Sequence, residues 1–129
     1  MMQVMSPRKR PKNLNLFTIR LPVNAIISIM HRMSGMVLFL ILPIVLWALS
    51  QSVQSEASYI ALVGMLQHWP AKLFLIAFSC TFFHHFYAGL RHLGMDVHWM
   101  TSLQKARLSS RLVLWLDILS VTAFALVIW

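Results

Sequence analysis

Three long apolar stretches separated by two polar ones set the pattern of this chain. Residues 36–49 are uniformly apolar, and the run reaches back to about residue 22. Pro22 suits the first turn of a helix, where its missing N–H would have had no helical partner. A helix over 22–49 would be about 40 Å long, more than the ~30 Å hydrocarbon core of a bilayer. Asn24, Ser28, His31, Arg32 and Ser34 interrupt its first half, so with residue 49 at one edge the opposite boundary falls near Met30. Pro43 marks a candidate kink. Residues 50–71 carry Gln51, Gln54, Ser55, Glu56 and Ser58 and read as a polar connection, closed by Trp69 and Pro70. A second helix is predicted over 71–95, a second polar link from residue 97, and a third helix over 110–129. The pattern predicts an all-α integral membrane protein: a basic arm over 1–21, then a domain over 22–129 with three transmembrane helices.

Composition and charge sharpen this picture. Of 129 residues, 59% are hydrophobic and 11% charged, where a soluble domain would carry roughly a quarter charged residues. The mean hydropathy is +0.72. The net charge of +8 could suggest nucleic acid, but the cations form no soluble, aromatic-interleaved face. They flank the apolar segments instead, where they fix orientation and meet anionic lipid. The first helix with its arm and the stretch 91–111 hold ten of the eleven Lys/Arg, and the 50–72 connection holds Lys72 alone. The positive-inside rule therefore puts the N-terminus and the second link in the cytoplasm and the C-terminus on the outer side. Trp47, Trp69 and Trp129 would then form an outer aromatic belt and Trp99 an inner one. The arm lacks the apolar core and small-residue cleavage site of a secretory signal, so a bacterial inner-membrane protein is the simplest account. Cys80 stands alone in an apolar run, which leaves neither a disulfide nor a cysteine metal site.

Ionisable groups at membrane depth cost several kcal/mol unless paired, so they are functional candidates by default. On the second helix His85, Gly89, His92 and Asp96 fall on one face. A haem iron takes imidazole ligands, and a planar macrocycle needs a small neighbour such as Gly89 to approach the helix. His92 lies about 10 Å further along, level with the cytoplasmic boundary, where haem propionates could find a cationic or hydrogen-bonding partner. The bland alternative is that His85 bonds a neighbouring helix and Gly89 serves helix packing. His84 points about 100° away and is the weaker ligand candidate. On the first helix Ser28 and Arg32 share a face, with His31 and Gly35 as a second pair beside it. A hydroxyl and a fixed cation at the interface suit a quinone whose carbonyl oxygens gain negative charge on reduction. Alternatively, Arg32 only snorkels toward lipid phosphate. Spacing also leaves open one haem ligated by both His31 and His85. Asp117 has no cation three or four residues away, and a partner subunit, a water or a proton would each accommodate it.

Two stretches carry a family resemblance. Arg10-Pro11-Lys12-Asn13-Leu14, followed by Ser28-Ile29-Met30-His31-Arg32-Met33-Ser34-Gly35, resembles the N-terminal signature of the cytochrome b membrane-anchor subunit of succinate dehydrogenase (respiratory complex II). His85-Phe86-Tyr87-Ala88-Gly89-Leu90-Arg91-His92, with Asp96 after it, resembles the second signature of that family. The resemblance implies an anchor that does no chemistry alone. In such a complex a flavoprotein subunit oxidises succinate, an iron–sulfur subunit passes the electrons on, and two anchor subunits hold haem b and form the ubiquinone site. By position, His85 is the axial haem ligand, shared with a histidine of the second anchor subunit. Ser28 and Arg32 fall on the quinone-binding positions, His31, Arg32 and His92 near the haem propionates, and Asp96 where protons could enter. His84 and Asp117 lie outside the signature. The alternatives are a quinol:fumarate reductase anchor, a stand-alone two-histidine b-type cytochrome, and a haem-free structural anchor or small transporter.

Overall fold

A computed structural model describes residues 20–100 and 102–129, so nearly all of the basic arm expected over 1–21 lies outside the described residues. Four helices occupy the described residues: α1 (Val23–Gln54), α2 (Glu56–Leu66), α3 (Trp69–Asp96) and α4 (Leu103–Ile128). Three of them, α1, α3 and α4, are long and apolar enough to cross a membrane. With 32 residues, α1 measures about 48 Å and must tilt or project beyond a ~30 Å core. The helix continues through Pro43.

The stretch 50–71, expected to be a polar connection, is mostly helical. The polar residues that suggested a link are concentrated at one break. Ser55 caps α2 by accepting from Ser58 N–H at 3.1 Å, while Ser55 N–H donates back to Ser58 Oγ at 3.1 Å. Beyond the cap, Ile60–Met65 is apolar on all sides, and α2 packs against α1 and α3. Likewise α4 begins at Leu103, ahead of the expected residue 110, because Ser102 accepts from Lys105 N–H at its first turn. The end of α3 is a Schellman turn: His98 N–H reaches Met95 O at 2.9 Å and Trp99 N–H reaches Gly94 O at 3.1 Å. His98 takes the left-handed position at φ 61°.

The bundle is built around α3, which packs on both α4 and α1. Its apolar core is small: Ile27 from α1, Ala88 from α3 and Val113 from α4, flanked by Val23, Tyr87 and Leu114. Meanwhile Phe39, Leu126 and Val127 are 73%, 78% and 85% exposed, the reverse of a water-soluble helix bundle. In lipid, close packing and interhelical hydrogen bonds take over from the hydrophobic effect as the force between helices. Those bonds join each pair of the three long helices. Ser110 Oγ donates to Asn24 Oδ1 at 3.0 Å between α4 and α1. Tyr87 and Ser120 pair at 2.8 Å, and Arg91 Nε donates to Ser109 Oγ at 3.1 Å, both between α3 and α4. At the opposite end Lys72 Nζ donates to Trp129 O at 3.2 Å, tying the start of α3 to the end of α4.

Candidate functional site

The α1–α3 seam gathers three of the histidines singled out from the sequence. The His31 and His85 rings stack with centroids 4.3 Å apart and planes 10° from parallel. His92 also lies against His31, tilted, with ring centroids 5.0 Å apart. Helical periodicity puts His85, Gly89 and His92 on one face of α3, and the crossing with α1 slots His31 into that face. The space left by the missing Gly89 side chain faces His31, whose Nε2 would stand 3.5 Å from a Cβ there. Two imidazoles stacked face to face cannot also sit on opposite faces of one macrocycle, so this arrangement does not suit a single haem ligated by His31 and His85 together.

His85 has the environment of a metal-ligating imidazole. Its Nδ1 lies 3.1 Å from the backbone oxygen of His31. A carbonyl only accepts, so Nδ1 carries the hydrogen and Nε2 keeps a lone pair; such a backbone partner commonly orients metal-bound histidines. Ser34 Oγ lies 3.2 Å from the same Nδ1 and itself donates to His31 O at 2.8 Å. The residues present therefore fit haem ligation at His85. Among the described residues no three His, Cys, Asp or Glu side chains converge as ligands for a bare metal ion.

Ser28 and Arg32 share a face as their spacing predicts, and Arg32 Nε donates to the Ser28 backbone oxygen at 3.4 Å. Arg32 is exposed and Ser28 half-buried, which leaves a cation and a hydroxyl reachable from outside the bundle. Asp96 ends α3 in an exposed position.

His84 turns away from this cluster, as its offset from His85 requires. It is buried, and its Nδ1 meets Asp117 Oδ2 of α4 at 2.6 Å. The partner of Asp117 is thus inside the chain. His84 Nε2 and Asp117 Oδ1 are buried with no hydrogen-bond partner among the described residues. His85 is half-buried at the edge of the bundle, whereas His84 is buried. Sequence reasoning passed over Ser34, which bonds the candidate ligand. Its signal was available: a serine one turn from His31, on the flank that faces α3. The Arg91–Ser109 bond was also missed, because it depends on where α4 passes α3.

These features define a multi-span α-helical membrane protein with an ordered imidazole at the edge of its bundle. The family profile of the succinate dehydrogenase/fumarate reductase transmembrane subunit matches residues 6–124, and the chain belongs to that family. It is 37% identical over 123 residues to the succinate dehydrogenase cytochrome b556 subunit of Coxiella burnetii, covering 94% of this chain and 98% of the relative. The subunit of the same name from Rickettsia prowazekii is 30% identical, covering 78% of each chain. That of Paracoccus denitrificans is 30% identical, covering 79% of this chain and 78% of the relative.

Proposed function

We propose that this chain is the cytochrome b anchor of a succinate:quinone oxidoreductase in a bacterial inner membrane. It docks an iron–sulfur and a flavoprotein subunit, pairs with a second anchor subunit, and contributes to a haem b site and a ubiquinone site. The family covers both succinate oxidation and fumarate reduction. The relatives named above are succinate dehydrogenase subunits, which supports the succinate-oxidising direction. The cations at the starts of α1 and α4 and the end of α3 support a cytoplasmic N-terminus, with α2 on the outer side. The described domain then begins at the inner face, and the arm over 1–21 faces the soluble subunits.

The observation that carries the haem assignment is the bond from His85 Nδ1–H to the His31 carbonyl, which frees Nε2. When bound, haem b supplies a one-electron redox centre. His85 would hold it through Nε2, with a histidine of the second anchor subunit as the other protein ligand. His31, His92 and Arg32 are the donors available to propionates at that end of the seam. Ser28 and Arg32 aim a hydroxyl and a cation at a quinone oxygen, which stabilises the charge that develops there on reduction. Asp96, exposed at the cytoplasmic end of α3, exchanges protons with water for that reduction. The chain does no succinate chemistry of its own.

An optical spectrum of the complex purified with this chain tests the reading. A reducible b-type band should accompany flavin, vanish in His85→Ala and persist in His84→Ala. The reverse pair of results would transfer the ligand to His84.

A further inference from the structure

Of the glycines among the described residues, Gly35 on α1 is the one that lies against the candidate ligand. A Cβ on Gly35 would stand 2.8 Å from His85 Cε1, 3.3 Å from Nδ1 and 3.8 Å from Nε2. By contrast, one on Gly64 would meet nothing within 4 Å. Contacts as short as 2.8 Å force something to move, and here the neighbour is an aromatic ring held on two sides. One edge of the ring is bonded to the His31 carbonyl and lies beside Ser34 Oγ, at 3.1 and 3.2 Å. One face is stacked on His31 at 4.3 Å. The ring cannot retreat from an added methyl without giving up the bond, the stack or both.

We propose that Ser34 and Gly35 are positioning residues for the haem ligand. Gly35 admits the edge of the His85 ring against α1. The Ser34 hydroxyl, itself fixed by donating to His31 O, closes a three-centre clasp on Nδ1. Together they set the ring's rotation about its side chain, and with it the direction in which Nε2 presents its lone pair. This rests on the assignment of His85 as the ligand. It goes beyond it in placing the control of the ligand's orientation on α1 rather than on α3, which carries the ligand.

The test uses the whole complex, purified from membranes, with variants Gly35→Ala, Ser34→Ala, Ser34→Thr and His85→Ala. The readouts are low-spin haem g values, which report the relative rotation of the axial imidazoles, the haem midpoint potential, and haem retention against a scavenging apoprotein. Losing an outer-shell partner typically lowers affinity about 10- to 100-fold. Gly35→Ala should retain haem but shift the g values and potential, and weaken retention by roughly that factor. Ser34→Ala should shift them the same way by less, because the His31 carbonyl remains, and Ser34→Thr should restore wild-type values. Unchanged g values and retention in both alanine variants, with haem lost in His85→Ala, would overturn the positioning role alone. Haem retained in His85→Ala would overturn the ligand assignment beneath it. If Gly35→Ala does not assemble, the comparison of Ser34→Ala with Ser34→Thr decides: a shift rescued by threonine supports the clasp, and no difference refutes it.

Discussion

Replacing Asp117 by leucine should loosen the α3–α4 seam far more than its position in an apolar helix suggests. The carboxylate meets His84 Nδ1 at 2.6 Å, with the two side chains 5% and 11% exposed. Removing the acceptor takes away a short hydrogen bond worth about 1.5–3 kcal/mol when one partner is charged. It also leaves His84 with no partner at either nitrogen, since Nε2 already lacks one among the described residues. Interhelical bonds within bilayers average lower, near 0.6 kcal/mol, because the dissociated helices find other partners. Here both groups are enclosed by protein, so the unpaired nitrogen weighs more, and a loss of about 2 kcal/mol is expected. The pair is itself incompletely satisfied, with Asp117 Oδ1 also orphaned. Replacing both residues by leucine should therefore cost under about 1 kcal/mol or even stabilise. Asp117→Asn keeps an acceptor oxygen and should fall between wild type and Asp117→Leu. A double-mutant cycle on the purified complex, unfolded by SDS titration, measures the coupling directly. A coupling below about 0.5 kcal/mol, or a double variant as unstable as the sum of the two single ones, would refute this account.

Further outcomes concern function and folding. Arg32→Leu should impair quinone reduction while succinate oxidation with an artificial acceptor persists; equal loss of both would make Arg32 an assembly residue. His98→Gly should stabilise the turn after α3 by about 0.5–1 kcal/mol, because glycine takes the left-handed conformation without the Cβ penalty that His98 bears at φ 61°. Thermal denaturation of the complex checks this, and a lower midpoint would mean that the His98 side chain makes a stabilising contact of its own. His84→Ala, which should leave the haem band intact, ought nevertheless to lower stability in the same titration, because it orphans the Asp117 carboxylate. Unaltered stability would show that the pair contributes nothing.

Much of this protein is set by its sequence alone. Three apolar runs of membrane-spanning length determine the spans, because a bilayer demands about twenty apolar residues per helix and little else, and all Lys/Arg but Lys72 lie in the arm, the first helix or the stretch 91–111. Periodicity within one helix places His85 with Gly89 and His92, and Ser28 with Arg32, since i, i+4 and i+7 depend only on the 3.6-residue turn. The two motifs are enough to suggest the family. Polar residues misled at 50–71, where they marked a capped break between α1 and α2 and not a loop. The Ser55–Ser58 pair was the clue, and one capping pair was too little to outweigh several polar neighbours. What the tertiary structure alone decided is which helices share their polar groups. His31 against His85, the Ser34 clasp, the close approach at Gly35 and the His84–Asp117 pair depend on how each helix is rotated and where it crosses its neighbour. Those quantities arise from packing across the bundle, and no local spacing encodes them. The sequence placed two adjacent histidines on α3; the crossing with α1 and α4 assigned one to the edge of the bundle and locked the other inside it.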